Sequence, residues 1–403
     1  MILSTIKKKP DLAMSMINCI KYLICLSIMV LVLSPIFHHN HLSAIEIEQD
    51  RFNWSELEPY QHAITRQRFE TLLKHVYDRN ARIYQYIDIN DKRLLVYENS
   101  NKNTPPLFTL NFSQDNHEIQ KPKYQILSRK IRPTRIFLDP GHIGGDYAVM
   151  EERFFQWGPY GTIREGNMNL IVAKRIKKAL LSHGFIVEMS KDTLDPVTKE
   201  DPHDFINHEK DFYRKSEIYA RAVKAKDFDP DLSICIHFNA GGKDTAIEPW
   251  TQDNRLLIFI HGCYGPDEIE IPEQSFHLIR KILEGSHDFE LFAATVHAQK
   301  LKTATKLEPI NMKTPSFYWC SVDKNPYLFA RNLSANRLYP GPVIYLEPYY
   351  QNNKTVYLRL LAGDYQGVRL INGKFYKSIY GEYADAVTEA VLEIFGPSIS
   401  GQS

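Results

Sequence analysis

Arg135-Ile-Phe-Leu-Asp139-Pro140-Gly141-His142 is a short apolar strand that halts at a proline–glycine turn and sets an imidazole just beyond its end. Helical periodicity runs from Asn167 to His183 and stops at Gly184, after which Phe185-Ile-Val-Glu-Met189 is again extended. A helix over about 212–226 leads into Asp231-Leu-Ser-Ile-Cys-Ile-His237-Phe-Asn239, a third strand. Arg255-Leu-Leu-Ile-Phe-Ile-His261 and Pro342-Val-Ile-Tyr-Leu-Glu347 read as two more. Strands that alternate with helices and are apolar throughout predict an α/β fold, with a mainly parallel sheet flanked by helices on both faces. This body is assigned to residues 132–397.

Toward the N-terminus the pattern changes. Residues 51–80 carry helical spacing through Phe69, Leu72, Leu73 and Val76. Two extended runs, 83–89 and 94–97, flank the turn Asn90-Asp91-Lys92, and a third covers 107–112. These predict a small α+β accessory unit within 45–131, whose polar end, 113–131, serves as a linker. Residues 1–44 read as a signal peptide or signal anchor: Lys7, Lys8, Lys9 and Lys21 precede the uncharged stretch from Tyr22 to Phe37. That stretch is shorter than the roughly 20 apolar residues of a membrane span, which favours a cleaved signal and no stable span afterwards. The expected location is outside the cytoplasm, in the periplasm or cell envelope.

Composition narrows the function classes. With 43% hydrophobic residues in 403, the chain can bury a sizeable core. Its 49 basic and 48 acidic residues leave a net charge of +1, so no basic field draws it onto nucleic acid. Cys235, Cys263 and Cys320 are too few for a disulfide scaffold, and Cys235, within an apolar run, reads as a small buried hydrophobe.

In open α/β sheets, ligands bind beyond the carboxyl ends of the strands. His142, His237 and Glu347 each stand at such an end, and Glu165 opens the helix after the first strand. Two histidines and a glutamate with one open position form a catalytic zinc set, and the remaining glutamate can act as general base. Glu151 and Glu152, in the loop between His142 and Glu165, compete with Glu165 for the third ligand position. Asn239, two residues past His237, is expected to line the wall of the site, and His261 is a candidate for contact with substrate. His203, His208, His287 and His297 are read as surface residues, and His38, His39 and His41 as the end of the targeting segment. Trp157, Tyr160, Trp250, Tyr349 and Tyr350 are candidates for stacking on substrate.

Four ordered motifs resemble a known family. Asp139-Pro-Gly-His142, Glu165-Gly-Asn-Met-Asn169-Leu170, Ser233-Ile-Cys-Ile-His237-Phe-Asn239-Ala240 and Pro342-Val-Ile-Tyr-Leu-Glu347 are similar to those of the zinc-dependent N-acetylmuramoyl-L-alanine amidases of the amidase-3 type. The resemblance spans residues 132–396. It implies one Zn2+ per chain on His142, Glu165 and His237, Glu347 as the catalytic carboxylate, and Arg221 as a structural arginine. It also implies peptidoglycan as substrate, with a regulatory protein as a second candidate partner. A zinc peptidase or carboxypeptidase of wall peptides, and a catalytically silent wall-binding regulator, are the competing readings. Three departures stand out: the loop from His142 to Glu165 contains an extra aromatic-rich segment, Glu152-Arg-Phe-Phe-Gln-Trp-Gly-Pro-Tyr160, Glu347-Pro348-Tyr-Tyr replaces the family's more usual Glu-x-Gly-Phe, and the stretch 264–341 is long. It is expected to form part of the substrate groove or a regulatory helix over the zinc.

Overall fold

A computed structural model describes residues 52–114, 132–205, 211–241, 250–310 and 316–396. The targeting segment, nearly all of the linker, and His38, His39, His41 and His208 lie outside them. Trp54–Ser403 cluster as one compact unit.

The accessory part begins with a 3-10 helix, Trp54–Tyr60, and the helix Arg66–Leu72, whose cap Thr65 accepts the N–H of Arg68 at 3.3 Å. Strands β1 (Ile87–Ile89), β2 (Arg93–Val96) and β3 (Phe108–Asn111) form an antiparallel sheet. The expected strand from 83 is shorter than predicted. Asp78 accepts the N–H of Ile83 at 2.8 Å and bends Ile83–Gln85 into a 3-10 turn.

The main body follows in chain order: β4 (Arg135–Pro140), a two-residue-per-strand hairpin β5 (Phe154–Phe155) and β6 (Ile163–Arg164), β7 (Ile186–Met189), β8 (Leu232–Ile236), β9 (Arg255–His261), β10 (Glu308–Pro309), β11 (Trp319–Val322), β12 (Asn325–Arg331) and β13 (Val343–Pro348). A further hairpin comprises β14 (Val368–Ile371) and β15 (Lys374–Lys377). The large sheet is ordered β11-β12-β9-β13-β8-β4-β7, with β10 beside β9. Strands β7, β4, β8 and β13 are mutually parallel, as predicted. Strand β9 runs antiparallel to β13, and β12 runs parallel to β9.

Alternation along the strands sorts the core into two layers. Ile136, Leu138, Ile234, Ile236, Ile344 and Leu346 meet the helices Glu165–Ser182, His287–Thr305 and Ile379–Phe395 on one face. Phe137, Cys235 and Val343 meet Ile218–Phe228 and Ser334–Leu338 on the other. Side chains as completely buried as Leu138 each contribute about 1.5–3 kcal/mol of transfer free energy. The long stretch 264–341 is scaffold where it is described: its helices Pro272–Glu284 and His287–Thr305 enter the core, and β11–β12 widens the sheet. Among the described residues, no helix is long and apolar enough to cross a membrane.

Candidate active site

The same alternation aims the chemistry. Asp139 follows Phe137, His237 follows Cys235, and Glu347 follows Val343 and Tyr345, all in steps of two. In the register of β8 and β13, Leu346 lies opposite Ile236, and the N–H of His237 donates to the carbonyl of Leu346 at 3.1 Å. His237 and Glu347 therefore leave adjacent strand ends on one face. The Tyr345 ring lies flat against the His237 ring, with centroids 4.1 Å apart and planes 17° apart.

His142 reaches the same place through a turn in which it adopts φ +61°. Gly141, just before it, passes close beside His237. A Cβ there would sit 1.9 Å from the His237 ring, so no larger residue fits at this position. Gly166 does the equivalent for the helix: a Cβ would fall 1.9 Å from the carbonyl oxygen of Ile143, and the close approach seats Glu165 beside His142.

The result is a triad of potential ligands. Metal-binding atoms of His142, Glu165 and His237 all lie within 4.8 Å of one another. Glu165 Oε1 is 3.6 Å from His142 Nε2 and 3.1 Å from His237 Nδ1, and the two imidazole rings cross at 86° with centroids 5.0 Å apart. Burial holds the His142 imidazole well below its usual range, despite the pull of Glu165, and so keeps it neutral. Burial opposes ionisation of Glu165, but its close contacts with His142 and His237, including the hydrogen bond to the His237 ring, outweigh it and keep its carboxyl below the ordinary value. Neutral imidazoles and an ionised carboxylate are the forms that ligate a divalent cation, and this donor set fits zinc.

Glu151 does not join the triad. It lies behind His142, where Oε1 is 3.4 Å from Nδ1 and Oε2 accepts the N–H of Ile143 at 2.7 Å. A carboxylate on the far nitrogen fixes the tautomer that leaves Nε2 free to ligate. Burial pushes the Glu151 carboxyl up to about 7. Glu151→Gln is expected to weaken metal binding by roughly 10–100-fold, checked by competition with a chromogenic chelator. Unchanged affinity would show that Glu151 does not set the orientation of His142.

Beneath the turn, Arg221 is fully buried and serves four acceptors: Asp139 at 2.9 Å, Glu217 at 2.7 Å, and the carbonyls of Pro140 at 3.1 Å and His142 at 3.0 Å. Ser190 and Tyr339 add hydroxyl donors to Asp139 at 2.6 and 2.8 Å. Burial alone would raise the Asp139 carboxyl; Arg221 and the two hydroxyls overcome this and hold it low. Tyr213 stacks on the His142 ring at 5.3 Å and lies under the Arg221 guanidinium. Sequence reasoning missed the clamp's partners Glu217, Ser190, Tyr339 and Tyr213. No local pattern marks them, because they come from three separate segments, with Tyr213 and Glu217 sharing one.

One expected site residue is placed differently. His261 is buried at the opposite pole, because β9 runs against β13 and its carboxyl end faces away; its Nε2 lies 2.9 Å from the Tyr264 hydroxyl, and its ring meets Tyr77. Asn239 lies past the end of β8, bridged to Tyr350, and its Oδ1 accepts the N–H of Ala240 at 2.7 Å. His287 and His297, expected at the surface, are buried: His297 Nδ1 donates to the Ala293 carbonyl at 2.8 Å, and His287 packs on Tyr77. Tyr349 and Tyr350 are buried as well, so of the five aromatic candidates Trp157, Tyr160 and Trp250 retain exposed ring surface.

No curated protein matches the chain. Solved structures do, at low identity. The N-acetylmuramyl-L-alanine amidase Ami1 of Mycobacterium smegmatis is 17% identical, with a TM-score of 0.40, covering 66% of this chain and 98% of that one. The CwlD amidase of Clostridioides difficile, solved in complex with the GerS lipoprotein, is 14% identical, with a TM-score of 0.41 and coverage of 65% and 98%. The amidase AmiC2 of Nostoc punctiforme is 16% identical, with a TM-score of 0.37 and coverage of 64% and 96%. Residues 136–334 match the family model described as N-acetylmuramoyl-L-alanine amidase, a span that contains His142, Glu165 and His237 and stops short of Glu347. Residues 136–334 are thus a domain that matches the N-acetylmuramoyl-L-alanine amidase family.

Proposed function

We propose that this protein is an exported peptidoglycan hydrolase that cuts the amide between N-acetylmuramic acid and the L-alanine of the stem peptide, using one zinc ion held by His142, Glu165 and His237. The observation that carries the proposal is the approach of those three ligand atoms to within 4.8 Å of one another, beside the strand end that bears Glu347. When bound, zinc supplies a Lewis acid for the carbonyl oxygen and makes water acidic near neutral pH.

The chain's own groups do the rest. Glu347 accepts the proton of the attacking water and returns it to the departing nitrogen of L-alanine, so that no free amide anion has to leave. Burial and the nearby Glu165 carboxylate push the Glu347 carboxyl up to about 8, partly offset by Arg331 and Arg153. Positive charge brought into the site draws this value down toward the range in which a carboxylate both takes and gives protons at neutral pH. Tyr345 holds the His237 ring flat, and its hydroxyl lies 3.3 Å from Nδ1. The targeting segment at 1–44 supports export, where the substrate is found.

Metal analysis and peptidoglycan digestion, run together on the wild type and on His142→Ala, test the proposal. The wild type should carry about one zinc per chain and release whole stem peptides from intact glycan; the variant should carry none and release nothing. Cleavage between amino acids of the stem would establish a peptidase instead, and full activity in His142→Ala would remove the metal site from the reaction.

A further inference from the structure

The hairpin that delivers Glu165 to the site carries an unusual concentration of rings. Phe154, Phe155, Trp157 and Tyr160 fall within seven residues, and β6 passes directly into Glu165. Tyr160 and Glu165 are five positions apart, which limits their separation to about 18 Å of extended chain. Trp250, from the stretch before β9, meets these rings.

These rings are not equivalent. Phe155 is directed inward, packing edge-on against Trp250 at 5.4 Å and against Tyr357 at 5.3 Å. Trp157 rests on Trp250, with centroids 5.0 Å apart. The Tyr357 hydroxyl accepts the N–H of Trp157 at 3.3 Å and donates to the carbonyl of Gly161 at 2.6 Å, pinning both sides of the turn. Tyr160 lies flat on Trp157, with planes 9° apart and centroids at 5.3 Å, yet 46% of its surface stays exposed. A ring buried for stability would bring both faces inside. Here one face is fixed on a rigid aromatic base and the other is turned to solvent.

We infer that Tyr160, supported by Trp157, is a stacking platform for a pyranose ring of the glycan strand that flanks the scissile muramoyl residue. This rests on the amidase reading, which requires a polysaccharide to lie along the rim of the cleft. A pyranose presents a flat face of C–H bonds and keeps its hydroxyls at the edge. An exposed aromatic face covers those C–H bonds while the hydroxyls remain in water. The stacked base sets the ring before substrate arrives, so little side-chain entropy is lost on binding.

Two substrates with the same stem peptide isolate the glycan: polymeric peptidoglycan, and a single N-acetylmuramoyl peptide. In Tyr160→Ala, the ratio of kcat/KM on polymer to kcat/KM on the monomer should fall about tenfold, through KM, whereas Tyr160→Phe, which keeps the ring, should restore the wild-type ratio. Zinc-stripped Tyr160→Ala should also bind insoluble peptidoglycan about tenfold more weakly than zinc-stripped wild type. An unchanged ratio in Tyr160→Ala, or a Tyr160→Phe variant as impaired as the alanine, would overturn the platform. Failure of the wild type on both substrates would instead overturn the amidase reading on which it rests.

Discussion

Glu347→Gln should bind zinc as the wild type does and lose about 10²–10⁴-fold in kcat on peptidoglycan. The amide keeps the shape of the carboxylate and most of its packing at the end of β13 but cannot accept a proton from water. Nothing else on the described face offers a free carboxylate in the same position, since Glu165 faces His142 and His237, and Glu151 is committed to His142 and the N–H of Ile143. Zinc content and single-turnover rates on the same preparation separate the two effects. A variant that retains its zinc and turns over at the wild-type rate would exclude Glu347 from proton transfer.

Arg221→Leu should cost about 3–5 kcal/mol of stability, because it strands the buried carboxylates of Asp139 and Glu217 without their cation. Thermal unfolding should move down by roughly 4–7 °C on that basis. The carbonyls of Pro140 and His142 also lose their donor, so the turn that presents His142 should loosen and zinc affinity fall with stability. Calorimetry of the zinc-free protein isolates the first effect. A melting point within a degree or two of wild type would mean that the two carboxylates take up protons or find new donors at little cost.

The elements that bear the chemistry were legible because two signals coincide in them. In β4, β8 and β13 a continuous apolar run ends on a residue too polar to continue it, and in parallel strands those ends gather at one edge. The helix Glu165–Ser182 was legible from its spacing and from Gly184. The direction of β9 was not: a strand apolar on both faces reads the same either way, and its reversal is what carries His261 to the far pole. The β11–β12 hairpin turns through Asp323 and Lys324, both at positive φ without a glycine, which is why it left little trace. Asn372-Gly373, between β14 and β15, is by contrast a strong hairpin signal that the sequence reading passed over. So are Pro272 and Gly285, at the first position and the end of their helix.

The accessory part is joined to the main body through the backbone as well as through side chains. Cys263 and Tyr264 donate their N–H groups to the carbonyls of Val76 and Tyr77 at 2.7 and 2.8 Å, just past the end of β9, and the Tyr77 ring covers His261. A chain trimmed to start at residue 132 would open two peptide donors and an imidazole to water at the end of a central strand. The accessory part thus acts as a plug that completes the main body, and the two would be expected to melt in one transition, not come apart as a detachable module.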